Sequence, residues 1–452
     1  MSEANAADAP DPGRESDPAE RRFALGAGVV VGRVDDDVVR ALGIPYAEAA
    51  RFAAPVRVTR YEKPVHAFQR APIAPQLPAK LFDRLIGDDV LAMDENCQRL
   101  SVTAPADLDD AERLPVLVWI HGGGNVVGAG DLAYYDPRAL VAEQRVIVVT
   151  VTYRLGMLGF LGDGADLAAN LGLLDQLMAL RWVRENISAF GGDPDSVTLF
   201  GQSSGADAIA HLMISDGADG LFRRVIMQSA PLGVTTGRAA MAEAMLSAVG
   251  ALSRDADVEA ILALQPVAER AARGFGQSSR MPFGVQSGFP PVPDEADHDP
   301  ARRESARRVD VLIGSTMEET GVIAALLPAL KGVFRLPVLG RLVRRLVVTP
   351  STRSMYELPA RRFVARHRIA GGRAYQYRMT WRPDRNGYGS AHLTDLPLLL
   401  GSRRAWASAA LLGSADWGDV HRRGRIVRRI WAEFARTGRV PDVGENDTIT
   451  LL

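Results

Sequence analysis

Ser203 stands in Gly201-Gln202-Ser203-Ser204-Gly205, between an apolar run, 196–200 (SVTLF), and the helical pattern 206–214. A serine on a strand-to-helix turn is pushed out beyond the carboxyl end of its sheet. Glycines two positions to either side let strand and helix approach with no Cβ between them. Gly-x-Ser-x-Gly alone is a weak signal; the strand-to-helix setting makes Ser203 a candidate nucleophile rather than a turn residue. A free hydroxyl needs a base, and the base needs an orienting carboxylate. Among strand-to-helix serines of this kind the chain order is Ser, acid, His. Of the histidines downstream, His211 is only eight residues on and reads as packed or surface. His298 sits in an acidic loop, and His367 and His421 lie beside arginines and read as exposed. His392, in the loop Gly389-Ser390-Ala391-His392-Leu393-Thr394-Asp395-Leu396-Pro397 after a strand-like segment, is the expected base.

The acid should also follow a strand. The run 309–313 leads through Gly314-Ser315-Thr316-Met317 to Glu318-Glu319. Adjacent side chains point in different directions, so one of the two can face the imidazole, and the pattern does not choose. The competing reading is a pair of surface glutamates. His121-Gly122-Gly123-Gly124 offers backbone N–H donors for a developing oxyanion, and the N–H of Ser204 adds another. A phosphate-binding loop is the rival reading of these glycines, but neither Gly-Lys-Ser/Thr nor Gly-x-Gly-x-x-Gly is present.

These residues need a frame. The segments 115–120 (PVLVWI) and 146–152 (VIVVTVT) are continuous apolar runs, as expected of strands buried on both faces. Leu173, Leu177, Leu180, Val183 and Ile187 recur at helical spacing before Gly191-Gly192-Asp193-Pro194. Further strands are expected at 224–227, 309–313 and 373–379, a hairpin around Asp35-Asp36-Asp37, and a closing helix over 423–437. Strands alternating with helices predict an α/β fold with a mostly parallel sheet covered on both faces. Residues 1–22 read as a disordered tail and 23–452 as one domain with helical insertions at about 232–306 and 324–372.

The formal net charge is −1 with neither half acidic or basic, so nothing here asks for a nucleic acid or an anionic membrane as partner. The one cysteine, Cys97, permits no intrachain disulfide and no thiolate zinc cluster, and reads as a small buried apolar side chain. No cofactor or metal is expected. The first residues lack a signal peptide's basic start and apolar stretch, and no run reaches spanning length, so a cytoplasmic location is expected.

With these residues in hand the chain resembles the type-B carboxylesterases, the cholinesterase-like branch of the α/β-hydrolases. The resemblance rests on Gly43-Ile44-Pro45-Tyr46-Ala47, Arg51-Phe52, Ala74-Pro75-Gln76 and Glu95-Asn96-Cys97, then on Trp119-Ile120-His121-Gly122-Gly123-Gly124. It continues through Asn170 to Gln176, Trp182-Val183, Phe190 to Pro194, the Ser203 motif, Gly314 to Glu319, the His392 loop with Asp395-Leu396-Pro397, and Trp431 to Gly438. It implies an α/β-hydrolase fold and ester hydrolysis. It selects Glu319 over Glu318, because the family's acid lies five residues after its glycine, and it assigns Gly123, Gly124 and Ser204 as oxyanion donors.

The departures are Gln202, where the family usually has Glu, Asn125 after the glycines, Thr320 after the acid, and Ala208 in a position that is often Ser. Gln202 removes a charge beside the site, which predicts weaker preference for choline-like esters and favours neutral ones. The stretch from Glu319 to His392 is short for the family, so helices lining the pocket are expected to be trimmed. The same machinery also serves amides, thioesters and carbamates. A non-catalytic interaction protein, which the family also contains, is disfavoured because all three triad positions are filled.

Overall fold

The computed structural model describes residues 19–109, 111–235, 237–326, 333 and 336–452. Residues 1–18 of the expected tail lie outside that set, while Glu20 already begins the first strand. The strands are β1 (Glu20–Leu25), β2 (Gly28–Asp35), β3 (Val38–Pro45), β4 (Arg99–Pro105), β5 (Leu114–Ile120), β6 (Ile147–Thr152), β7 (Gly192–Gln202), β8 (Arg224–Gln228), β9 (Asp310–Thr316), β10 (Ala374–Met379) and β11 (Ile449–Leu451). With the short strand Val65–His66 beside β2 they form one sheet, in the order β1-β2-β3-β4-β6-β5-β7-β8-β9-β10-β11. The six strands from β6 to β10 are mutually parallel. The amino-terminal strands and β11 pair antiparallel, so the sheet is mixed rather than parallel throughout.

β5 illustrates why the parallel strands are apolar on both faces. Val116, Val118 and Ile120 join one core with Leu173, Leu177 and Leu180 of helix α1 (Leu171–Asn186). Leu117 and Trp119 point the other way and pack with Ile430, Trp431 and Phe434 of the last helix (Trp417–Thr437). Alternate residues of one strand thus feed two cores, and no polar alternation survives. This is the α/β-hydrolase arrangement. The last helix begins before the expected Arg423, because Asp416 caps it by accepting from the Asp419 amide.

Between β8 and β9, helices run over Ala239–Val249, Val258–Ala272 and His298–Ser305. A second helical stretch starts with α2 (Gly321–Leu326) and α3 (Pro337–Val343). It continues through a π turn (Arg344–Val348), Thr349–Thr352 and a second π turn (Arg353–Glu357) into α4 (Leu358–Ile369). The carboxyl ends of β5, β7, β9 and β10 open into the loops carrying His121, Ser203, Glu319 and His392.

Candidate active site

Ser203 follows β7 directly and precedes the helix Ser204–Leu212. Its backbone is held at φ 56°, ψ −124°, a conformation L residues avoid unless the surroundings impose it. Its N–H donates to Gln228 O (2.9 Å) and its carbonyl accepts from Asp207 N (3.0 Å), which pins the turn on both sides. Gly205 is required here: a Cβ on it would lie 2.1 Å from Ile120 O, inside the neighbouring strand.

His392 and Glu319 meet across two loops. His392 Nδ1 is 2.5 Å from Glu319 Oε2. The other carboxylate oxygen, Oε1, accepts from Ser229 Oγ (2.5 Å) and Thr316 N (2.6 Å), so this carboxylate is held by two donors besides the imidazole. Glu318 points elsewhere, to Arg344 (3.2 Å), Arg382 (3.1 Å) and the Ser390 amide (3.0 Å). It ties the acid loop to the histidine loop, reinforced by Glu318 N donating to Ser390 O and His392 N to Glu319 O. The opposed directions of adjacent side chains therefore give the two glutamates separate tasks.

Gln202 Nε2 lies 3.1 Å from His392 Nε2. An amide donor there requires a lone pair on Nε2 and places the ring proton on Nδ1, facing Glu319. Ser203 Oγ makes no hydrogen bond to a described residue, and the Gln202 amide rather than the hydroxyl lies on the second ring nitrogen. Burial pulls the His392 pKa down, but the charge and hydrogen bond of Glu319, with the charge of Asp395, outweigh it and raise it above the usual histidine value. Tyr356 packs against the ring at 5.8 Å between centroids.

The glycine loop is tied to the serine turn by Asn125 N donating to Ser204 Oγ (3.2 Å). Gly123 adopts φ 120°, and a Cβ there would sit 2.0 Å from Val127 O. The N–H groups of Gly123 and Gly124 bond to no described residue, and Ser204 is the first residue of its helix, with no earlier turn to receive its N–H. Asn125 itself has φ 61° and donates its side-chain amide to Phe283 O.

Two residues here carry roles that the sequence pattern did not assign. Ser229, with φ 53° just past β8, supports Glu319. Asp395 is buried, accepts from Gln228 Nε2 (2.6 Å), and burial pushes its pKa up to about 6. Asp395 lies three residues after the base, a spacing visible in the chain; the Ser229 contact had no local signal. The remaining histidines lie outside the cluster. His211 is buried on the serine's helix with Nδ1 on Asp207 O. His298 begins a helix rather than a loop and is buried, and His367 is buried on Val309 O rather than exposed. His421 is exposed near Glu143. Among the described residues no group of His, Cys, Asp and Glu could hold a metal ion.

The sequence profile described as "Carboxylesterase family" matches residues 23–333. The chain is 38% identical over 423 residues to a probable N-octanoylanthranilate hydrolase of Rhodococcus erythropolis, covering 92% of each chain. It is 32% identical to the para-nitrobenzyl esterase of Bacillus subtilis, covering 91% of this chain and 88% of that one. Among solved structures, a thermophilic pNB esterase superposes with a TM-score of 0.78 at 29% identity, covering 96% of this chain and 97% of that one.

Proposed function

The chain belongs to the carboxylesterase family and is an ester hydrolase, and from that premise we propose that it cleaves neutral small-molecule esters through an acyl-enzyme on Ser203. The observation that carries the reading is the Glu319–His392 bond, with Nε2 of the same imidazole turned to Gln202, the residue before Ser203. Substrate entry draws Ser203 Oγ onto His392 Nε2 in place of the Gln202 amide. The oxygen attacks the ester carbonyl while its proton passes to Nε2. Glu319 holds the ring by Nδ1–H and stabilises the imidazolium. The carbonyl oxygen, now anionic, is received by the N–H groups of Gly123, Gly124 and Ser204, each such donor being worth about 10²–10³ in rate. Collapse expels the alcohol, which takes the proton from Nε2. Water then repeats the sequence on the acyl-enzyme and releases the acid.

Gln202 supports the preference for neutral esters, because it puts an uncharged amide beside the base where a carboxylate would attract a cationic alcohol. A second reading, hydrolysis of N-acyl arylamines, is favoured by one finding: the relative from Rhodococcus is named for an N-octanoyl substrate. An organophosphonate probe should label the wild type and leave Ser203→Ala unlabelled; labelling that survives the substitution refutes the nucleophile. Turnover of p-nitrophenyl octanoate measured beside octanoyl anilide decides between the two bonds.

A further inference from the structure

Seven of the thirteen exposed large apolar side chains among the described residues fall between Ile323 and Val347. Soluble surfaces scatter such residues; a contiguous group marks an interaction face. The face has a regular origin. In the helical run from α3 into the first π turn, Gly340, Arg344 and Val348 recur four apart. Gly340 and Val348 are buried, and Arg344 is bound to Glu318 Oε1 and to the carbonyls of Tyr388 and Gly387. Val338, Leu342 and Leu346 have the same spacing, shifted by two residues, so they occupy the opposite side. They are 71%, 48% and 63% exposed, and Leu339 beside them is 49% exposed. The helix thus turns its aliphatic stripe away from the protein, the reverse of a surface helix packed on a core.

Charge says what covers this stripe. Between Glu319 and Glu357 the sequence has no acidic residue and six basic ones, of which Arg344 is turned inward onto Glu318 while Arg345 and Arg353 are exposed. Arg345 is exposed at the edge of the stripe. We propose that this face docks on the surface of an anionic phospholipid bilayer, its aliphatic side chains entering the headgroup–acyl boundary and the exposed Arg345 at its edge meeting lipid phosphates. Aliphatic stripes flanked by cations bind interfaces in this way, lying in the plane of the membrane. Among the described residues no helix is long and apolar enough to cross a membrane, so the contact is peripheral. A second copy of the chain fits less well, because a two-fold contact would set each basic segment against its own image. The whole-chain balance of −1 conceals this local excess. The face also adjoins the site. Its helix is anchored to Glu318, next to Glu319, and the same run continues to Tyr356 on the His392 ring.

Flotation of the full chain with vesicles of equal parts phosphatidylcholine and phosphatidylglycerol tests this directly. The protein should float with these vesicles, float less with phosphatidylcholine alone, and be released by high salt, which shortens electrostatic reach to about 3 Å at 1 M. Leu342→Ser with Leu346→Ser should weaken binding by at least about tenfold, since each exposed leucine supplies apolar area to the interface. Arg345→Glu should weaken binding to the anionic vesicles. Both variants should keep the melting temperature and the hydrolysis rate on a soluble short-chain ester. The proposal is overturned if the wild type does not float, or if the serine variants float equally well. It is also overturned if those variants turn a dimer into a monomer while vesicle binding is absent, which would make the stripe a contact between copies.

Discussion

His392 has neighbours of unlike character on its two nitrogens, a carboxylate on Nδ1 and a neutral amide on Nε2. If His392 is the base proposed above, it must be neutral to accept a proton, and because its pKa is raised the acid limb of kcat/KM should fall above the ordinary histidine value of 6.5. Gln202→Glu would add a negative charge beside Nε2, stabilise the imidazolium and move that limb up by about one pH unit. A limb that stays in place would show that the residue before the nucleophile does not tune the base. Asp395→Asn should act in the opposite sense, because Asp395 also supports the cation. It should affect stability as well. A folded pKa of about 6 against 3.8 unfolded means that ionising Asp395 destabilises the native state. The penalty is absent below pH 3.8, grows as the pH rises to about 6, and is constant above. Asp395→Asn should therefore gain about 3 kcal/mol at pH 8 and nothing below pH 4, as read from urea unfolding at the two pH values. Equal stability at pH 8 would refute burial as the cause of the shift.

The elements were readable where one physical demand dominated the sequence. β5 and β6 are apolar throughout because both their faces are covered, and α1 repeats its leucines because only one stripe meets the sheet. β4 was not readable as a strand, since its buried Ser101 and Thr103 break the apolar run. Ser101 is tolerated there because Asp131, thirty residues on, accepts its hydroxyl and that of Thr150. His367 was misread for the converse reason: arginines flank it in sequence, yet its own helical position faces β9. A similar long-range polar contact joins the end of β6 to α1. Arg154, nearly buried, makes a two-pronged ion pair with buried Asp175 (2.7 and 2.8 Å) and donates to Ala53 O. Asp175→Ala would leave a guanidinium stranded in the core and should cost about 3–5 kcal/mol in chemical denaturation. Adding Arg154→Met should recover part of that loss. If the single variant unfolds like the wild type, the pair is not what holds α1 to the sheet.

At the scale of the whole molecule, the candidate site residues could be proposed because each follows a parallel strand at the same end of the sheet. Their mutual positions could not, because the four loops meet only once β5, β7, β9 and β10 are in register. Ser229, Gln228 and the amide of Gln202 acquire their partners at that level alone. The far edge of the sheet belongs to the same arrangement. β11 pairs with Tyr377–Met379 of β10, and Thr448 O accepts from the amides of Thr380 and Trp381, where β10 runs out towards the histidine loop. Ile449 is buried there, and Asp447 is paired with Arg423. Removing residues 447–452 would strip these acceptors, uncover the apolar contact and leave β10 as an open edge. The expected loss is about 2–4 kcal/mol from one buried isoleucine and the broken hydrogen bonds, with aggregation on heating as the exposed strand finds partners. Activity should fall beyond what unfolding explains, because the strand that aims His392 would be free to shift. Calorimetry and kcat/KM at a temperature where the truncated chain is still folded separate the two effects. Unchanged turnover in the folded truncation would mean that the Glu318–Ser390 and Glu319–His392 contacts hold the base without help from the sheet's edge.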